Sequence, residues 1–530
     1  MEFAAFAPTI RMHTKMMFTM KRIKQTWAVS LLALLSLFAS QPLLAEQPVN
    51  KPRVIVTCDP ELDDLNSLIR LLLFSTDFRI EGLIYTSSQF HWKGDGKGTL
   101  WYVPGREYSR NGLDLGPMTS WRWAEGERFI DEAVDTYEQV YPNLKAHRSD
   151  YPTPQYLRSK IRFGNIEFDG EMSKDTPGSE LIKQVLMEES TEPVFVMAWG
   201  GCSTIARALK SIETIYQSSA DWPQLKERIS KKTILCLSGD QDDTYARYIH
   251  PFWPGIEPMQ IGNGLVNLAY SAQHFTAEAN KVYFSPEWMR EHISAKGPFG
   301  AMYRVWGDGK QMVKDDRFDF FGFDGLTADQ LRAMGYVVWT NPMPKGSFLA
   351  EGDTFTYLNL LDNGLRAHED PTYGGWSGRA VELPDSLKGK STRETLAYQQ
   401  QWVGIPDGTA AVMNGLSARL DWSMTADYAQ ANHEPQIEGP LAMTVKAGET
   451  VSLKYKVSDP DKDAVVCRWL TLPAGTYTGA VRVADPQKAL TQVSIPQAMK
   501  AGETIHLLLE VVDKGSPALT RYHRVILTAR

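Results

Sequence analysis

Lys51 to Ser75 reads KPRVIVTCDPELDDLNSLIRLLLFS. Lys51 to Cys58 is a short, β-branched run that predicts a strand. Asp59-Pro60 makes a turn, and Leu65, Leu68, Ile69 and Leu72 then recur at helical spacing from Asp63 onward. The alternation continues outward from this unit. Phe78 to Ser87, Pro193 to Trp199 and Lys232 to Leu237 predict strands, and Ser179 to Glu189 and Ser203 to Tyr216 predict helices. Such a pattern predicts an α/β fold: a mostly parallel, open sheet, covered on both faces and joined by right-handed crossovers.

Two stretches break the pattern. Trp92 to Thr176 and residues 296–385 are rich in Gly, Pro and aromatic residues, the composition of irregular segments that wall a site. Near Ala426 the character changes. Residues 426–436 read as a linker, and residues 437–530 hold short strands between turns, such as Thr450 to Val457, Thr504 to Val512 and Tyr522 to Thr528. This predicts a small all-β sandwich of immunoglobulin- or cadherin-like type after an α/β domain spanning 50–425.

Residues 1–45 read as an export signal. Lys21, Arg22 and Lys24 precede an apolar run from Trp27 to Phe38, and Ala45 fits the small-residue rule for cleavage. The run is short for a membrane span, so a secreted or periplasmic protein with no membrane association after cleavage is expected. The whole chain carries a formal charge of −7, and loss of five basic residues and one acid with the signal leaves −11. That balance excludes nucleic acid and anionic membranes as partners and suits neutral ligands and cations. Cys58, Cys202, Cys236 and Cys467 form no CxxC pair; zinc is not expected, and buried free thiols are. Self-association stays open.

The sharpest local feature is Asp59-Pro-Glu-Leu-Asp63-Asp64, beyond the C-terminal end of the first strand, where open α/β sheets bind ligands. One reading is structural: Asp-Pro turns the chain, Asp63 caps the helix and Asp64 favours its dipole. The other is a cation site, since three carboxylates in one turn repel each other and a divalent ion offsets this. A second acidic turn, Asp459-Pro-Asp461-Lys-Asp463, resembles the calcium loops of cadherin-like domains and reads equally as a solvated turn.

TCDPELDDLNSL resembles the metal motif D-x-D-x-G-x-D-D of inosine-uridine-type nucleoside hydrolases. The first Asp of that motif falls at Val56 or Thr57 here, and its Gly at Glu61 or Leu62. GLIYTSSQ (82–89), AWGGCSTIARAL (198–209) and GDTFTYL (352–358) resemble later segments of the family in the same order. SSQFHWKGDG, GNI, QDDTYARYI, EGDTFTYLNLLDNGL and PTYGGWSGR resemble the divergent branch of cellulose-binding, nucleoside-hydrolase-like proteins, as does the tail from Asn432 onward.

The resemblance implies Ca²⁺ held by Asp59, Asp63, Asp64, Asp353 and the Trp199 carbonyl. It implies a water activated by Asp59 and attacking an anomeric carbon; His91, just past the second strand, is the candidate acid for the leaving group. Gln89, Trp92, Asn165, Asp240, Gln241, Asp242 and Trp376 are candidates to meet the substrate, though each also has an ordinary reading in a core or a turn. The expected ligand is a sugar, nucleoside or polysaccharide, and the expected activity is hydrolysis of an N- or O-glycosidic bond of a small sugar or oligosaccharide. The alternative is a non-catalytic carbohydrate- or cellulose-binding protein that keeps the pocket.

Overall fold

The computed structural model describes residues 51–110, 112–256, 258–259, 266–370, 372–379, 386 and 408–530. The expected export signal lies outside them. Strands β1 (Arg53–Cys58), β2 (Arg79–Tyr85), β3 (Ile161–Phe163), β4 (Val194–Ala198) and β5 (Thr233–Leu237) form one sheet in the order β3-β2-β1-β4-β5. Every neighbouring pair in it is parallel. β1 sits at the centre, and its two faces feed separate cores. Val54, Val56 and Cys58 pack with Phe195 and Met197 of β4 against helices α1 (Leu62–Leu73), α2 (Phe129–His147) and α5 (Thr409–Met424). Ile55 packs with Val194 and Val196 against α3 (Pro177–Met187) and α4 (Ser203–Tyr216). The period of two in a strand delivers alternate residues to opposite sides, so a continuously apolar strand is the one buried on both.

The expected strands and helices are present, with ends shifted by a few residues. The stretch after Trp92 departs from expectation, because it contains the long helix α2. Ile130, Val134, Tyr137 and Leu144 are buried at helical spacing, and Pro142 lies within the helix. The four cysteines are all free; Cys467 is partly exposed and the others are buried.

The C-terminal residues form a separate β domain. One sheet pairs strands 465–472, 504–513 and 520–529 antiparallel, with 442–445 added in parallel; a three-stranded sheet of 482–483, 490–494 and 450–454 lies with it around a common core. The acidic turn is folded on itself. Asp459 Oδ1 accepts the N–H groups of Asp461 and Asp463, and the Asp461 carboxylate accepts the N–H of His433 at 2.7 Å. Arg524 is fully buried where this domain meets the first, donating to the carbonyls of Tyr373 and Gly374 at 2.8 Å each.

Within the α/β domain one buried ion pair joins distant segments. Arg70 of α1 donates to both oxygens of Glu351, at 2.5 and 2.9 Å, and to the Val412 carbonyl of α5 at 2.8 Å. Glu351 also accepts from Tyr303 and Thr354. Breaking a buried pair from one side leaves an uncompensated charge. Glu351→Gln is therefore expected to destabilise the protein by about 3–5 kcal/mol, read as a lowered denaturation midpoint. Replacing both partners together, Arg70→Met with Glu351→Leu, should recover much of that loss. A single variant as stable as the parent would contradict the role assigned to the pair.

Candidate functional site

The acidic turn leaves β1 at its C-terminal end and re-enters as α1. Glu61 N–H donates to the Asp59 carbonyl at 2.7 Å, and Asp59 N–H to Asp64 Oδ1 at 3.1 Å. The turn is thus tight enough to crowd the carboxyls of Asp59, Glu61, Asp63 and Asp64. Asp353, about 290 residues later, joins them on the loop that Glu351 anchors. Its carboxyl lies near enough to those of Asp63 and Asp59 for their charge to raise its proton affinity, while Ser238, beyond β5, and Asp64 act in the opposite direction. Two glycines make the approach feasible. A Cβ on Gly352 would stand 2.1 Å from Asp63 Oδ2, and one on Gly200 would stand 2.7 Å from Asp59 Oδ1.

Burial and mutual repulsion set the charge of this cluster. Burial, and then the Asp59 carboxylate, pushes Asp63 up to about 7. Burial, then Asp353, holds Asp64 well above the usual carboxylate range; burial, then Asp63, does the same for Asp353. Glu61 is raised by burial and by Asp63 and Asp59, with the Arg122 guanidinium opposing. Carboxyls kept protonated by confinement are the arrangement a divalent cation can take over.

Donor geometry fits such an ion. One oxygen each of Glu61, Asp63 and Asp64 lie within 4.8 Å of one another, as do one ligand atom each of Asp59, Glu61 and His91. Asp59 is fully buried, and its Oδ1 has no hydrogen-bond partner. Its Oδ2 accepts from Ser88 Oγ at 2.6 Å and lies 2.7 Å from His91 Nδ1. The set of Glu61, Asp63 and Asp64 offers oxygen alone, which suits a hard cation.

Beside the cluster opens a cavity of about 400 Å³, which Glu61 and Asp63 reach and Asp59, Asp64 and Asp353 do not line; its volume is within the ~300–1,000 Å³ span of small-molecule sites. Glu61, Asp63 and His91 form part of its floor, and Tyr270, Phe321 and Trp339 part of its wall. Tyr270 hydroxyl donates to Glu61 and Asp63 at 3.1 and 3.3 Å. Trp339 is 49% exposed and stands edge-on against Tyr270, Phe320 and Phe321. Arg122 lines the cavity too, with a positive φ of 45°, paired to Glu107 and Asp316.

The residues expected to meet a ligand divide clearly. Gln241 lines the cavity, and its Nε2 donates to the Trp199 carbonyl at 2.6 Å, so the carbonyl expected to face a cation here holds an amide. Gln89 is partly buried beyond β2 and is not part of the wall. Trp92 is sealed among Tyr108 and Phe168. Asn165 braces its loop through the carbonyls of Glu171 and Lys174, and Asp240 accepts the N–H groups of Tyr245 and Ala246. Asp242 is fully buried and caps α4 through Ser203 N–H. Trp376 lines a separate hollow with Phe74 and Asp362 and packs on Tyr522. Of the residues expected to meet a ligand, Trp92, Asn165, Asp240, Asp242 and Trp376 do not line the acidic cavity, and each is engaged in packing or hydrogen bonding elsewhere. Glu61, Tyr270 and Trp339 were missed. Glu61 had a signal, an acid between acids; Trp339 had none beyond its aromatic surroundings.

Comparison with known proteins agrees with this architecture. The family described as the nucleoside hydrolase-like domain of cellulose-binding Sde182 matches residues 53–380. The C-terminal domain of cellulose-binding protein Sde0182 matches residues 450–529. Among solved structures, the chain is similar to a nucleoside hydrolase-related hypothetical protein from Saccharophagus degradans, associated with carbohydrate metabolism. Identity is 25% and the TM-score 0.63, over 91% of this chain and 100% of that one. A human CDH23 EC21–23 structure matches 18% of this chain and 33% of its own, at 19% identity and a TM-score of 0.15. A search of curated proteins finds no match. The chain belongs to the cellulose-binding, nucleoside hydrolase-like family, with that family's C-terminal domain.

Proposed function

We propose that this protein is exported and hydrolyses a glycosidic bond of a small sugar or oligosaccharide at the acidic cavity, with calcium as its cofactor. The observation that carries the reading is the gathering of Asp59, Asp63, Asp64 and Asp353 at the sheet's rim, with Asp59 Oδ1 buried and lacking a partner. Calcium bound there supplies acidity to a coordinated water and a fixed point for sugar hydroxyls. Asp59 is the base, held in place by Ser88. His91 is the acid; its Nδ1 faces Asp59, which fixes the tautomer and leaves Nε2 to exchange a proton with the leaving group. The ionised acids of the floor stabilise the positive charge that grows on the sugar ring. Trp339 offers a flat apolar face at the mouth for a second ring.

A binding protein without turnover is the second reading, favoured by the family's description as cellulose-binding and by the half-exposed Trp339. A screen of nucleosides, aryl glycosides and plant or algal oligosaccharides, with calcium and with a chelator, separates the two. On the hydrolase reading, Asp63→Ala abolishes turnover and calcium binding together. Retained polysaccharide affinity and no turnover in any arm would leave the binding reading standing. Trp339→Ala should weaken saccharide binding about twofold to thirteenfold on either reading, the effect of losing roughly 0.5–1.5 kcal/mol of ring contact; an unchanged Kd would remove the ring from the site.

The raised carboxyls predict a pH dependence of stability. Asp63 shifts from 3.8 to about 7, so between those values the folded state binds more protons than the unfolded one. Stability of the cation-free protein therefore falls as pH rises through that window. Calcium should oppose the fall, since it favours the ionised acids. Thermal unfolding followed from about pH 4 to about pH 7, with chelator and with calcium, checks this. A chelated protein whose Tm climbs steadily through the window, unmoved by calcium, would contradict it.

A further inference from the structure

We propose that the floor of the cavity holds two divalent cations rather than one, with Glu61 bridging them and His91 ligating the outer one. The proposal builds on the reading above in taking a calcium ion at the inner position, among Asp59, Asp63, Asp64 and Asp353.

Two sets of donors overlap here. Glu61, Asp63 and Asp64 form one, and Asp59, Glu61 and His91 form the other, each with its ligand atoms within 4.8 Å of one another. Glu61 is common to both. In the outer set, His91 Nδ1 lies 2.7 Å from Asp59 Oδ2 and 3.9 Å from Glu61 Oε2. Donors bonded at ~2.0–2.2 Å to one ion stand about 3 Å apart, so the three need only small movements to close on a metal.

Asp59 also straddles the two positions. Its bare Oδ1 lies beside Gly200, next to the Trp199 carbonyl, while Oδ2 lies beside His91.

The two positions differ in chemistry. The inner one offers oxygen alone and suits calcium. The outer one adds an imidazole nitrogen and suits a first-row metal such as Mn²⁺ or Zn²⁺. Coordination through Nδ1 requires the neutral ring to carry its single proton on Nε2, so metal binding moves that proton from Nδ1 to Nε2 by exchange with solvent. Glu61 and His91 both line the cavity, so the outer ion is reached from it.

The test is stoichiometry, read without any substrate. The full chain is stripped with chelator and titrated with Ca²⁺ and then Mn²⁺ in a calorimeter, with metal content confirmed by elemental analysis. Two ions per chain are expected, one of each. His91→Ala should weaken the Mn²⁺ step at least tenfold and leave Ca²⁺ binding unchanged, whereas Glu61→Gln should weaken both steps, with circular dichroism confirming the fold. One ion per chain, or Mn²⁺ affinity unmoved in His91→Ala, overturns the two-ion site and leaves the calcium reading intact. No bound ion of either kind overturns both.

Discussion

The Arg70–Glu351 ion pair is the constraint on which the site depends. Both groups are almost completely buried, and the guanidinium meets the carboxylate with two parallel bonds. Arg70 lies on the helix that begins with Asp63 and Asp64, and Glu351 lies two residues before Asp353. A planar, bidentate contact fixes direction as well as distance, so it sets where the late loop runs along α1. Asn66 repeats the linkage one turn earlier, donating to the carbonyls of Arg304 and Ala350. Asp353 thus reaches the other acids because polar contacts, each satisfied, hold its loop there.

That arrangement has a cost that explains the rest of the cluster. Buried carboxyls at such separations resist ionising together, and burial alone is the largest cause of their raised proton affinity. A fold gains nothing in stability from gathering them, since apolar residues of similar size would pack without that penalty. Gly200 and Gly352 sharpen the point. Each gives up a side chain so that a carboxyl can come closer. Groups that are held together against their own repulsion belong to a site rather than to a core.

The sequence made the sheet legible because β1 and β4 are buried on both faces and so read as continuous apolar runs. α1 and α4 were legible because each has one apolar stripe. α5 was not: its apolar and polar residues are mixed around the helix, so no stripe distinguishes it, and α2 is interrupted by Pro142. The acids of the first turn were readable as a group, being contiguous. Trp92, Asn165, Asp240, Asp242 and Trp376 fall outside the cavity lining, which sequence could not tell, because it gives the end of the sheet on which a residue falls but not whether its polar atoms are already engaged by neighbours. Asp242 shows this well. It stands next to Gln241, which does reach the cavity, yet its carboxylate is taken by Ser203 and Thr244. Glu61 was discounted for standing where the related motif has Gly, although a carboxylate there changes the chemistry of the floor.

The division of labour between the two domains follows from where their aromatic rings go. In the β domain Tyr455, Trp469 and Tyr522 are buried, and from residue 437 onward the large apolar side chains exposed to solvent are Leu441, Val466 and Leu490. None of these is a ring that could lie flat on a sugar. The α/β domain instead carries Trp339 half-exposed at the cavity mouth, fixed by three neighbouring rings. The β domain meets the other through the buried Arg524 and through Tyr522 N–H on the Asn363 carbonyl, so it is bonded to the segment that follows the Asp353 loop. The β domain is thus fastened just beyond the acidic loop, where its hydrogen bonds hold the segment that follows Asp353.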